Sequence, residues 1–117
     1  PENYVMLDIG RQNNSIATGV GSETKTTVNS SSTRPLQTGS NQGDLILCRV
    51  GDQFISYRFL SGDSGWAETT RFDRADLPST LQVGMVVNAF SAPADLRATF
   101  EFIRLRPTPA SDTDCTP

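Results

Sequence analysis

Residues 43–66 read GDLILCRVGDQFISYRFLSGDSGW, and this stretch decides the fold of the chain. Two β-prone runs, Leu45–Val50 and Gln53–Leu60, flank the dipeptide Gly51-Asp52. A Gly-Asp pair between two such runs is typical of a two-residue hairpin turn, where the backbone needs positive φ. The stretch therefore predicts an antiparallel β-hairpin.

Six more runs of strand-like composition lie before and after this hairpin. The last two alternate apolar with polar residues, which is the pattern of half-buried antiparallel strands. The runs are Tyr4–Ile9, Ser15–Val20, Lys25–Ser30, Trp66–Phe72, Leu81–Phe90 and Leu96–Leu105. Eight short strands with no long helix predict an all-β fold, an antiparallel β-sandwich or jelly roll.

The segments between the strands have turn and loop chemistry. Ser31–Gly43 is rich in Gly, Pro, Ser and Asn and predicts an exposed loop. Asp73–Pro78 predicts one helical turn that the proline ends. The Pro/Thr-rich tail, residues 107–117, is predicted to be disordered unless Cys115 fixes it. We therefore divide the chain into a sandwich domain, residues 1–106, and this tail.

Length and charge exclude several classes of protein. The chain has 117 residues, which suit one domain, and a net charge of −3. It has no cluster of Lys and Arg, so we predict no nucleic-acid partner. No apolar stretch reaches the roughly 20 residues of a membrane span, so we predict no transmembrane segment. The chain begins at Pro1 without an initiator Met, which favours a processed chain.

Histidine and cysteine usage limits the chemistry further. The chain has no histidine, and so lacks the commonest general base and zinc ligand. Its two cysteines, Cys48 and Cys115, fit no metal motif. Either they form a disulfide that ties the tail to the sheet, or both are free thiols. The abundance of Ser, Thr and Asn favours a secreted protein, extracellular or periplasmic, where disulfides persist.

A series of motif residues runs in order from the hairpin to the last predicted strand. They are Arg49, Gly51, Phe54, Tyr57, Ser61, Asp63, Gly65, Trp66, Leu77-Pro78, Leu81–Gly84 and Thr99–Ile103. This order resembles the C-terminal half of concanavalin A-like lectin/glucanase domains, in the bacterial branch related to laminin G-like modules. The resemblance covers residues 43–106, about half of the chain.

The resemblance implies a jelly roll in which Trp66 and the phenylalanines fill the space between two sheets. A complete jelly roll of that superfamily has several more strands before the part matched here. Only Tyr4–Ser30 is present to supply them. Either this is a reduced sandwich, or the missing strands come from a partner chain, such as the remainder of a processed precursor.

The resemblance also implies a binding site for sugars. Lectin grooves use exposed aromatic rings for stacking and polar side chains for the hydroxyl groups. The candidates are Tyr57, Arg58, Trp66 and Asn88. For Trp66 a place in the core is the alternative, and for Tyr57 the core and the site are equally good predictions.

Calcium and catalysis are weaker predictions. Related sandwiches bind calcium, which implies oxygen ligands from Asp8, Asp44, Asp52 or Asp63. Asp52 and Asp63, the two that we select, also suit turns. Related glucanases carry Glu-x-Asp-x-x-Glu on one strand, which this chain lacks. Glu68 and Glu101 are single acids on predicted strands, so we predict no enzyme, with a glycoside hydrolase as the minor alternative.

Two functions remain in competition at this stage. The first is a non-catalytic carbohydrate-binding or adhesion module of lectin-like β-sandwich type, with a glycan as its ligand and no cofactor other than calcium. The alternative is a structural or assembly subunit of an extracellular or membrane-associated complex, which docks a partner chain through a sheet face or edge. The missing strands favour the second, whereas the resemblance favours the first, which is our prediction.

Overall fold

The computed structural model describes residues 1–13, 18–89 and 93–117, which form two antiparallel sheets packed together. The described residues contain seven strands and one short 3-10 helix. The strands are β1 (Tyr4–Asn13), β2 (Thr18–Val28), β3 (Ser31–Thr33), β4 (Leu36–Thr38), β5 (Gly43–Val50), β6 (Gln53–Leu60) and β7 (Ala67–Asp73). The helix covers Asp112–Asp114. The predicted all-β sandwich is confirmed, without evidence for a jelly roll.

The first sheet is built around β2. One edge of β2 pairs with β1 from end to end, and its other edge pairs with β3 and β4 in succession. The predicted loop Ser31–Gly43 is therefore wrong in part, because it contains both short strands. The predicted runs Ser15–Val20 and Lys25–Ser30 belong to the one strand β2, and residues 15–17 lie outside the described residues.

The second sheet has the order β5-β6-β7. The predicted hairpin is confirmed, because β5 pairs with β6 around Gly51-Asp52, and Gly51 has φ of 59°. Such a positive φ favours glycine, which lacks the Cβ that strains other residues there. The predicted strand Trp66–Phe72 corresponds to β7, which pairs with β6 with a register shift at Ser56/Tyr57.

Polar side chains join the facing sides of the two sheets, and Phe54 and Leu60 of β6 are buried on the same side. Thr24 of β2 and the fully buried Ser56 of β6 share a hydrogen bond of 2.8 Å. Arg58, also on β6, donates to the carbonyl oxygens of Gln37 and Thr38 at 3.0 Å each. These hydrogen bonds cross the interface between the sheets, as burial of polar groups requires; among the described residues, only Arg58 Nε is buried without a hydrogen-bond partner.

The apolar cluster lies on the opposite face of the second sheet. Side chains alternate along β6, so Ile55 and Tyr57 point away from Ser56 and its partners in the first sheet. There they pack with Cys48 and Cys115, and Trp66 packs against this cluster. The prediction that Trp66 fills the space between the sheets is therefore wrong.

A disulfide joins Cys48 to Cys115 and holds the C-terminal tail against this face. The disulfide is thus confirmed, and the tail is fixed by Cys115 as the conditional prediction stated. Cys115 is buried, and the short helix precedes it directly. The tail covers the apolar cluster that would otherwise face water.

Two predicted strands do not form. The structure shows no strand in residues 81–89 or 93–106, although Leu81–Phe90 and Leu96–Leu105 have the alternating pattern. Phe90 lies outside the described residues. A strand exists only where a neighbouring strand pairs with it, and neither segment has one here. Among the described residues, no helix has the length and apolarity needed to cross a membrane.

Candidate functional site

Two surface features are candidates for function. One is a cleft at the end of the second sheet, next to Phe59 and Trp66. The other consists of residues 81–89 and 93–106, where the last two strands were predicted, and we call it the apolar arm.

The arm begins at a base that arginine side chains hold rigidly. Arg49 donates to the carbonyl oxygens of Pro78 and Leu77 at 2.6 and 3.2 Å. Arg74, only 2% exposed, forms a two-pronged ion pair with Asp76 at 2.7 and 2.8 Å. Charge-assisted bonds of this length are the stronger kind, so the chain is fixed up to Pro78.

The arm leaves the sandwich and returns to it at one place. Ser79, before the arm, and Thr108, after it, line the same cavity of about 290 Å³. Arg49, Gly51 and Asp52 complete that lining, at the hairpin turn of the second sheet. The arm is therefore an excursion that is fixed at both ends, by the arginine contacts on one side and by the disulfide-bound tail on the other.

The arm carries most of the exposed apolar surface of the described residues. Thirteen large hydrophobic side chains are exposed among the described residues, and ten of these thirteen belong to the arm. Val83 is 68% exposed and Leu105 is 74% exposed. The other eight are Leu81, Met85, Val86, Val87, Leu96, Phe100, Phe102 and Ile103. This concentration of exposed apolar side chains makes the arm a candidate interaction site.

The cleft has a volume of about 410 Å³ and lies at the far end of β6 from the arm's base. Phe59, 38% exposed, lines it together with the polar side chains of Gln42, Asp44 and Asp63. The Trp66 ring packs against Phe59 with centroids 5.8 Å apart, tilted by 60°. The cleft thus combines an exposed aromatic ring with carboxylate and amide groups.

The structure brings together only two of the four predicted sugar-binding residues. Tyr57 and Trp66 share the outer face of the second sheet, but Tyr57 is only 9% exposed under the tail. Arg58 lies on the opposite face, where it bonds to the first sheet. Asn88 is exposed on the arm. Trp66 is therefore the predicted residue nearest to a usable cleft.

Charged side chains fasten the tail over Tyr57. Arg71 of β7 binds Glu68 at 2.8 Å and Asp112 of the tail at 3.0 Å. The hydrogen bonds from Arg71 lower the pKa of the Glu68 carboxyl. Burial raises the pKa of the Tyr57 phenol above its usual value, and the Glu68 carboxylate adds to that effect. The tail thus acts as a cover, and it occupies the face that a lectin-like site at Tyr57 would need.

The two predicted calcium ligands lie far apart. Asp52 sits in the turn before β6, and Asp63 sits in the turn after it. The Asp63 carboxylate accepts a hydrogen bond from the backbone of Leu60 at 2.9 Å, which is the role of a turn former. Within the part of the chain that the structure describes, no group of three or more acidic or cysteine side chains is placed to hold a metal ion.

The candidate catalytic acids are likewise separate. Glu68 lies on β7 and is paired with Arg71, whereas Glu101 lies on the exposed arm. Register also places Asp8 opposite Glu23 in the first sheet. Glu23 is fully buried and its carboxylate lies 2.6 Å from Arg34 Nε, so a substrate could not reach it. None of these placements gives the accessible carboxylate pair that glycoside hydrolysis needs.

Sequence reasoning missed the role of the arginines and of Phe59. Arg49 and Arg74 read as isolated charges in the sequence, and nothing there shows which carbonyl oxygens they satisfy. Phe59 breaks no pattern, because it alternates correctly on β6. The excess of large apolar residues after Leu81 is visible in the sequence, but their alternation predicts two strands of the sandwich.

The comparisons with known proteins give no relationship. No protein-family model matches the chain, and neither the curated proteins nor the solved structures give a match. The resemblance to concanavalin A-like domains therefore stays a prediction from the order of motifs. Function has to be inferred from the chemistry of the arm and the cleft.

Proposed function

We propose that this domain is an assembly or adhesion module that docks a protein partner through its apolar arm. The observation that carries the proposal is the exposure of ten large hydrophobic side chains on the arm. Fully burying one such side chain stabilises a complex by about 1.5–3 kcal/mol. Burial of the arm against a partner would therefore stabilise a complex, and these side chains are not buried in the single chain.

The rest of the domain suits this role. The sandwich and its covering tail form a body fixed by the disulfide and by the arginine contacts at Pro78 and Leu77. A rigid base limits the conformational freedom that docking must remove from the arm, which improves affinity. The disulfide also supports a secreted protein, because such bonds persist in oxidising compartments. A partner protein chain is the occupant expected.

The test compares two variants that add the same charge to neighbouring positions of the arm. Val83→Glu places a carboxylate on its main apolar side, and Gln82→Glu places it on the other. Native mass spectrometry of the chain with its co-purifying chains should show the complex for the wild type and Gln82→Glu, and its loss for Val83→Glu.

The stability of the same variants separates docking from folding. Both should unfold in urea with free energies within about 0.5 kcal/mol of the wild type, since exposed positions contribute little. A loss of about 2 kcal/mol or more for Val83→Glu alone would mean that Val83 lies in a core, and would contradict the proposal.

Glycan binding at the cleft is a second candidate, supported by the pairing of Phe59 with Trp66. The exposed Phe59 ring offers an apolar face for a sugar, and Gln42, Asp44 and Asp63 offer acceptors and a donor amide for hydroxyl groups. This site differs from the one predicted around Tyr57. Of the four residues predicted from the sequence, only Trp66 lies beside the cleft.

A glycan array followed by calorimetry tests this candidate. Phe59→Ala should weaken binding of any hit by about fivefold, because stacking contributes on the order of 1 kcal/mol. Phe100→Ala on the exposed arm is the matched control and should bind as the wild type does. An array without a hit, or equal losses for both variants, would contradict a glycan site at the cleft.

A further inference from the structure

The cleft beside Phe59 has a rigid floor. Gly43, at the start of β5, has φ of 148°, and a Cβ there would lie 2.4 Å from the carbonyl oxygen of Phe59. The two backbones therefore approach more closely than a side chain at this position would allow. The turn after β6 is fixed as well, because the Ser61 backbone donates to the carbonyl oxygen of Gln42 at 2.9 Å. The cleft is thus formed in the free chain, which limits the ordering that binding a ligand requires.

A carboxylate stands next to the exposed aromatic ring. Asp44 of β5 lies directly opposite Phe59 of β6 in the antiparallel register. Opposite side chains stand on the same face of a sheet, with Cβ atoms about 4.5–5.5 Å apart. Both side chains line the cleft and both are exposed, and the Trp66 ring supports that of Phe59 with centroids 5.8 Å apart. An apolar ring and a carboxylate therefore form one continuous surface.

Asp44 is also the acid of the cleft that is available to a ligand. In the part of the chain that the structure describes, its carboxylate forms no ion pair and no hydrogen bond. The other acid, Asp63, accepts a hydrogen bond from Leu60 and lies 4.0 Å from Arg58 Nε. The described residues that line the cleft include no Lys or Arg. The charge that is not compensated in the cleft is therefore negative.

We propose that the cleft selects a sugar with a free amine, which places the amine on Asp44 and the ring on Phe59. This inference rests on the glycan site given above as the second candidate function, and it names the class of sugar. A protonated amine forms charge-assisted hydrogen bonds to a carboxylate, which are roughly twice as strong as neutral ones. The aromatic ring adds to the attraction, because its face is negative and attracts cations.

Other sugars lack part of this interaction. An acetylated amine is neutral, so it can donate a hydrogen bond to Asp44 without the attraction between opposite charges. A sugar acid would bring a second negative charge next to Asp44, and like charges repel. The Gln42 side chain offers a donor and an acceptor for hydroxyl groups, which all of these sugars share. Affinity should therefore decrease from the amine to the acetylated amine and then to the acid.

Calorimetry of the full chain with three trisaccharides tests this order. The probes are the chitosan trisaccharide, whose sugars carry free amines, the chitin trisaccharide, whose amines are acetylated, and trigalacturonate, whose sugars are acids. A mildly acidic buffer keeps the amines protonated and the aspartates ionised. We expect the chitosan trisaccharide to bind about fivefold more tightly than the chitin trisaccharide, as an exposed ion pair allows, and trigalacturonate not to bind. Equal affinities, or tighter binding of the acid, would overturn the proposal.

Salt provides a second readout that a neutral contact would not change. Raising the salt from about 0.05 to 0.5 M screens exposed charges, so it should weaken binding of the chitosan trisaccharide. Binding of the chitin trisaccharide should stay the same over this range. Equal salt dependence of the two affinities would contradict an amine held by a carboxylate.

Two variants remove the same charge at opposite ends of the β5–β6 hairpin. Asp44→Asn should weaken binding of the chitosan trisaccharide about fivefold and leave the chitin trisaccharide unaffected, because Asn keeps a hydrogen-bonding group but not the charge. Asp52, whose side chain is 64% exposed in the hairpin turn, is the matched control. Asp52→Asn should bind both sugars as the wild type does. Equal losses for the two variants would overturn the proposal, since the net charge of the chain would then be responsible. Both substitutions are exposed, so the urea midpoint should not move.

The remaining outcomes separate the class of sugar from the glycan site itself. Equal binding of the chitosan and chitin trisaccharides, weakened in Phe59→Ala, would overturn the selection of an amine and leave a glycan site at the cleft. Binding of neither, with a neutral sugar on the array that depends on Phe59, would have the same meaning. Binding of neither, with no hit on the array, would overturn both. Binding of the chitosan trisaccharide that survives Asp44→Asn and Phe59→Ala would place the site elsewhere and also overturn both.

Discussion

At the scale of single residues, arginines connect the parts of this domain. Arg58 joins the two sheets, Arg49 holds the segment before the arm, and Arg71 holds the tail. Each binds oxygen atoms from two or more different residues, which the planar guanidinium does better than the lysine ammonium. The sequence predicted the turn glycine Gly51, because its role is local. It could not predict these arginines, whose partners are distant in sequence.

The two tyrosines should titrate on opposite sides of the usual phenol pKa of about 10. Burial raises the pKa of Tyr57, whereas a hydrogen bond from Lys25 lowers the pKa of Tyr4. Ultraviolet absorbance of phenolate should therefore show a transition above that value in Tyr4→Phe and below it in Tyr57→Phe.

The raised pKa of Tyr57 also makes the free energy of unfolding depend on pH. Its pKa is higher in the folded state, so its contribution is fully present below the unfolded value of about 10 and is lost as the pH rises through the folded value. If Tyr57 in the Tyr4→Phe variant titrated at the ordinary phenol pKa, this would contradict the conclusion that the tail buries Tyr57.

At the scale of elements, prediction succeeded where pairing is local and failed where it is not. The hairpin of β5 and β6 and the following β7 were predicted, because short turns join consecutive strands. The arm was predicted as two strands from its alternation alone. Alternation shows that a segment suits a sheet, but it cannot show whether a neighbouring strand is present.

The tail should remain attached after the arm is cut. Trypsin should cleave the dilute native chain first after Arg97 and Arg104, since both lie on the exposed arm, while the buried Arg74 resists. The C-terminal fragment should then stay bound through the disulfide to Cys48 and separate only on reduction. Mass spectrometry with and without reductant measures this, and early cleavage after Arg74 would contradict the assigned burial.

Reduction alone should lower the stability of the sandwich. The disulfide links residues 67 apart in sequence, and the chain-entropy model gives such a loop about 4 kcal/mol. Urea unfolding of a Cys48→Ser, Cys115→Ser double variant should therefore show a loss of that order. In the same variant the pKa of Tyr57 should fall towards its ordinary value, as the tail leaves. An unchanged free energy of unfolding would mean that the tail contributes little.

At the scale of the whole molecule, the distribution of apolar surface is unusual for a sandwich. The facing sides of the sheets meet through Thr24, Ser56 and Arg58, and an apolar cluster lies beneath the tail. The sequence predicted two layers with Trp66 and the phenylalanines between them; Phe54 is buried on the facing side, whereas Trp66 packs on the outer face. Its excess of apolar residues after Leu81 has no place in either layer, and it lies on the arm instead.

The central claim is that the arm is not part of the core of its own chain. Hydrogen exchange on a dilute, monomeric sample tests it most directly, by comparing the arm peptides with β6 in one experiment. We expect residues 81–89 and 93–106 to exchange at the rate of unstructured peptide, while β6 is strongly protected. Protection of the arm comparable to that of β6 would contradict the account.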